Sequence, residues 1–107
     1  MFLTISVQLD AVQALAVELT ALAADLDDDA ALCGSTAGSL AAALGGEEGW
    51  TAADAGSAWA GLIGVLAARA RAVAGTLAAA VDSYRAADLV LAERIGSRRP
   101  HPVAVAW

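Results

Sequence analysis

Apolar residues in the first half of the chain recur at helical spacing. Val12, Leu15, Leu19, Leu22 and Leu26 are separated by 3, 4, 3 and 4 positions, the heptad seam of an amphipathic helix that starts near residue 6. The next seam position falls on Asp29, inside "DLDDDAALCGSTAGSL", and Gly34 and Gly38 follow. A glycine inside a helix costs about 1 kcal/mol relative to alanine. A kink or break is therefore expected over residues 28–36, with helix resuming through Leu40 to Leu44. "GGEEGW", residues 45–50, supplies a turn. "TAAD", Thr51 to Asp54, then has the form of a capping box. Beyond it Trp59, Ile63, Leu66, Ala70, Val73, Leu77, Ala80, Tyr84, Ala87 and Leu91 alternate spacings of 4 and 3 without a slip. Helix two is predicted over about 51–95 and ends at Gly96, leaving residues 97–107 as a flexible Pro/Arg tail.

The predicted fold is all-α: an antiparallel two-helix hairpin over residues 1–96. Helix two, at 1.5 Å per residue, would be on the order of 65 Å long. Such slender rods enclose little interior. The expected seam, shared by the hairpin and its dimer, runs through Leu15, Leu19, Leu22, Leu26, Ile63, Leu66, Val73, Leu77 and Leu91, and Leu62, Val81 and Val90 widen its apolar face. A face of that width is an association surface, so the hairpin is expected to pair with a second hairpin into a four-helix bundle.

Composition agrees with an all-helical chain, because alanine dominates and has the highest helix propensity. The formal net charge is −6, which argues against nucleic acid or an anionic membrane as partner. Its distribution is uneven: residues 1–54 carry nine acids and no base, whereas residues 55–107 carry six arginines and three acids. The N-terminus "MFLTISVQLD" lacks the basic region of a signal peptide. The most apolar uncharged run, Ala55–Ala68, has 14 residues, short of the ~20 a bilayer requires, so no membrane span is expected.

Cys33 is the only cysteine, and no internal disulfide can form. Asp25, Asp27, Asp28 and Asp29 lack the central glycine and closing glutamate of a calcium loop, and no metal or cofactor is expected. The one histidine, His101, stands between two prolines. With no carboxylate pair in a cleft, no phosphate loop and no nucleophile elbow, the chain does not read as an enzyme.

Three features carry a family resemblance over about residues 5–95. Trp50 closes the turn in "GW", Trp59-Ala60-Gly61 is a literal Trp-x-Gly, and Tyr84 and Asp88 form Tyr-x-x-x-Asp. With its length and hairpin plan, the chain resembles the small WxG-type substrates of actinobacterial type VII (ESX) secretion, in their EspC-like branch. The resemblance implies a non-enzymatic protein that leaves the cell folded and without a cleaved leader, secreted or held at the cell surface. Tyr84 and Asp88 would form part of the export signal, and the partners would be the type VII machinery and a second hairpin, as homo- or heterodimer. The chain departs from the family at the turn, where Trp50 is followed by Thr51-Ala52 rather than x-Gly, and the literal match lies further into helix two.

Each residue also has a plainer reading. Tyr84 would pack on the seam with its hydroxyl at the edge, and Asp88 would be a solvated acid. Trp50 and Trp59 would plug the hairpin end and the bundle core. Gly34-x-x-x-Gly38 would permit a bend or a close helix contact. The alternative function is a cytoplasmic helical adaptor or toxin-partner protein that is not exported.

Overall fold

The computed structural model describes residues 2–98, with side-chain environments over residues 5–96. It is an all-α antiparallel hairpin of two helices, α1 (Phe2–Leu44) and α2 (Gly46–Arg98). At 1.5 Å per residue, the 53-residue α2 makes the hairpin a rod on the order of 80 Å long. α2 does not stop at Gly96 but continues to Arg98, and the rest of the expected tail, 99–107, lies outside the described residues. His101 and Trp107 lie outside the described residues.

The turn is tighter than the sequence suggests. Gly45 and Gly46 adopt φ of +66° and +55°, the left-handed region in which a Cβ would be strained. The Gly45 N–H donates to the Ala41 carbonyl (3.0 Å), and the Gly49 N–H donates to the Gly45 carbonyl (2.9 Å). Gly45 alone therefore closes one helix while its carbonyl opens the next. Helix two accordingly starts at Gly46 and not at Thr51. The Thr51 hydroxyl donates back to the Glu47 carbonyl (2.9 Å), so Thr51 is no N-cap. Glu47 and Glu48 instead place negative charge in the first turn, where the helix dipole favours it.

The break expected over residues 28–36 is absent, since α1 is continuous through Asp27–Asp29 and both glycines. Packing against α2 holds a segment whose own propensity is poor. Neither Gly34 nor Gly38 makes a close contact. Close approach occurs elsewhere. A Cβ placed on Gly49 would lie 2.5 Å from the Ala41 carbonyl oxygen, and one on Gly56 would lie 1.9 Å from the Ala37 Cβ.

The core is made of small residues. Ala16, Ala23 and Ala37 of α1 are buried against Ala67, Ala74 and Val81 of α2, with Gly49 and Gly56 buried near the turn. Half-buried Val12, Leu19, Leu26, Ile63, Ala70 and Leu77 fill the alternate positions. Of the predicted seam, Leu19, Leu26, Ile63 and Leu77 thus lie between the helices. Leu15, Leu22, Leu66, Val73 and Leu91 do not, each being about half exposed. The places of Leu15, Leu22, Leu66 and Val73 are taken by Ala16, Ala23, Ala67 and Ala74, and Val81 continues the same heptad. Both helices are turned by half a residue step, about 50°, which brings the small side of each inward. Alanine and glycine at every second contact let the backbones approach more closely than facing leucines would allow.

Candidate interaction surface

The helices run in opposite directions, so residues one position before each seam residue lie on the same side of the pair in both helices. Residues one position after lie together on the other side. The grooves of the rod follow this rule. One groove, in the half nearer the turn, is lined by Leu32, Thr36 and Leu40 with Ala52, Ala55 and Trp59, all of the first kind. A second, on the opposite side, is lined by Val17, Thr20 and Ala24 with Arg71, Gly75 and Ala78, all of the second kind.

The two faces differ in chemistry. Arg71 pairs with Asp27, and Arg85 pairs with Asp10 while also donating to Gln13. All five residues follow a seam position except Arg85, which reaches the same face from the end of the seam. Both ion pairs found among the described residues are therefore on this second face, among small side chains. Being exposed, they hold register more than they add stability, about 0–1 kcal/mol each.

The first face carries large apolar side chains that the alanine seam leaves uncovered. Leu15, Leu22, Leu32 and Leu40 come from α1, and Trp59, Leu62, Leu66 and Val73 from α2, all at least 47% exposed. The total accessible surface is 8026 Å², against roughly 5,500 Å² expected for a compact monomer of this mass. Large apolar side chains left exposed along one side of a rod are the feature that marks a candidate association surface.

Tyr84 and Asp88 lie at the end of the rod away from the turn. They line one groove together with Ile5, Gln8, Leu9 and Val12. The structure thus brings these two residues onto one surface, as their i, i+4 spacing requires, and Tyr84 is exposed rather than packed in the seam. Neither tryptophan is buried within the single hairpin. Trp50 is 78% exposed beside Gly46 and Glu47 at the tip, and Trp59 flanks the turn-proximal groove. Gly61 follows a seam position and so belongs to the opposite face, with nothing near it. The half-buried Cys33 thiol donates to the Gly56 carbonyl (3.7 Å). Among the described residues no three His, Cys, Asp or Glu side chains gather as a metal site would need.

The expectation that no segment suits a membrane is overturned. Ile5–Leu44 and Gly46–Gly96 each contain an 18-residue window of mean hydropathy 1.3 and 1.5, only 6% and 11% buried. By length and composition both helices can cross a bilayer. Charge-free runs are shorter than these windows, which admit up to two charges among many apolar residues. The chain matches no protein-family model, and no curated protein or solved structure is significantly similar to it. The partners expected from the sequence, a second hairpin and an export machinery, gain no support from these comparisons.

Proposed function

We propose that this chain acts without catalysis, through protein association on its exposed apolar face, and that it is exported as a small type VII-like substrate. The observation that carries the association is the face itself: Leu15, Leu22, Leu66 and Val73 stand half exposed beside a seam already filled by alanines. Side chains of that size remain bare on a rod only at a cost in free energy that a partner relieves. The export reading is supported by Tyr84 and Asp88 sharing one accessible groove, where a receptor can read both groups.

Replacing Tyr84 and Asp88 together by alanine is expected to abolish export from an actinobacterial host with an active type VII system. Both residues are exposed, so helicity measured by circular dichroism should stay unchanged. Undiminished amounts of the variant in the culture filtrate would contradict the export role.

A second reading, membrane association, is favoured by the hydropathy of both helices. Against it, α1 carries Asp10, Glu18, Asp25, Asp27, Asp28 and Asp29 with no base, and an acid at the bilayer centre costs about 2.5–3.5 kcal/mol. Flotation of the full chain with neutral phosphatidylcholine vesicles distinguishes the two. Recovery in the soluble fraction supports protein association, and recovery with the lipid supports the membrane.

A further inference from the structure

Acids are interleaved with the leucines of the apolar face. Along α1 the positions that precede the seam read Leu15, Glu18, Leu22, Asp25, Asp29 and Leu32, an apolar stripe interrupted by a carboxylate every few residues. Asp29 lines the turn-proximal groove directly, beside Leu32 and Trp59. Glu18 and Asp25 occupy the equivalent register, and all three are exposed. Among the described residues none of them takes part in an ion pair, whereas Asp10 and Asp27 on the opposite face do. Across the seam the same face of α2 offers one base, Arg69.

Whatever covers the leucines must also take up these carboxylates, because desolvating a carboxylate without a partner is costly. Hydrocarbon supplies no counter-charge. Among the described residues, a second copy of this chain brings from this face Arg69 alone to meet Glu18, Asp25 and Asp29, with Arg94 beyond the end of the seam, which leaves most of the acids unmatched. We propose that the face receives a basic amphipathic helix of a different protein, its leucine-like stripe on Leu15, Leu22 and Leu66 and its arginines or lysines over the α1 rim. This rests on the association reading and adds the sign of the partner's charge. The spacing of Glu18 and Asp25, seven residues, sets the partner's bases one heptad apart.

Binding of two fluorescent peptides to the full chain tests this. Both have about three heptads with leucine at a and d; one carries arginine every seventh residue beside that stripe, the other glutamate. The basic peptide is expected to bind on the order of tenfold more tightly than the acidic one at low salt, with the difference shrinking as salt is raised. Glu18→Arg combined with Asp25→Arg should invert the order without loss of helicity. Equal affinity for the two peptides, no binding of either, or a preference that survives the double reversal would overturn the inference. Leu22→Ser and Leu66→Ser separate the two levels. If they weaken both peptides alike while no charge preference exists, association through the face stands and the basic partner falls. If they change neither, the face is not the association surface.

Discussion

Val81→Asp is expected to unfold the hairpin, whereas Val73→Asp should leave it folded and abolish its association. The two residues share chemistry, helix and substitution, and are eight positions apart. Val81 is 1% exposed and Val73 is 51% exposed. A carboxylate at position 81 would sit between the helices, with Arg85, one turn on, already paired with Asp10, at a cost of about 3 kcal/mol or more. The core is mostly alanine, so each contact contributes little apolar area and the hairpin has little stability to spare. At position 73 the new charge faces water in the free chain and should shift stability by less than about 0.5 kcal/mol. Once a partner covers the face it becomes a buried unpaired charge. Urea denaturation followed by circular dichroism reads the first effect, and sedimentation velocity of the chain with its partner reads the second. Equal destabilisation by the two variants would show that Val73 is inside the fold.

Gly56→Ala should destabilise the hairpin while Gly61→Ala stabilises it. In a helix interior the change to alanine is worth up to about 1 kcal/mol in favour of the folded state. Gly61 has nothing near its missing side chain and should show that gain. At Gly56 the added methyl would lie 1.9 Å from the Ala37 Cβ and 3.3 Å from its Cα. Neither atom belongs to a flexible side chain, so the helices must separate locally, at about 1–3 kcal/mol. Combining Gly56→Ala with Ala37→Gly removes the facing methyl and should recover much of the loss. Thermal unfolding midpoints of the four chains provide the comparison. A rise in midpoint for Gly56→Ala alone would mean that the helices are not in close contact there.

The hairpin was legible because α2 carries unbroken 3- and 4-residue spacings, α1 carries them as far as Leu26, and the glycines between the helices offer one place to turn. The face that packs was read half a step away from its true position. Two heptad stripes run side by side in each helix: a large one through Leu15 and Leu22, and Trp59, Leu66 and Val73, and a small one through Ala16, Ala23, Ala30 and Ala37, and Ala60, Ala67, Ala74 and Val81. Apolar periodicity favours the large stripe, because leucine weighs more than alanine in any transfer scale. Close packing of two helices favours the small one. Gly49 and Gly56, also one heptad apart, were the available sign that the inner contact is built for small residues. The missing break at Asp27–Asp29 has a related cause, since Leu26, Ala30 and Cys33 stay half-buried through the segment and the Cys33 thiol reaches the Gly56 carbonyl of α2. Tyr84 and Asp88 were found through their spacing. That they share an accessible groove depends on Tyr84 lying outside the seam, which only the rotation of α2 determines.

Hydroxyl-radical footprinting of the full chain, at a concentration where it is monomeric, tests most directly whether the hairpin keeps its small side inward and its large side bare. The expected result is strong modification of Leu15, Leu22, Leu66 and Val73 together with protection of Val81 and weaker labelling of Leu19 and Leu77. Uniform protection of all of these residues would mean that the chain shelters its large side chains by itself, and would contradict the account.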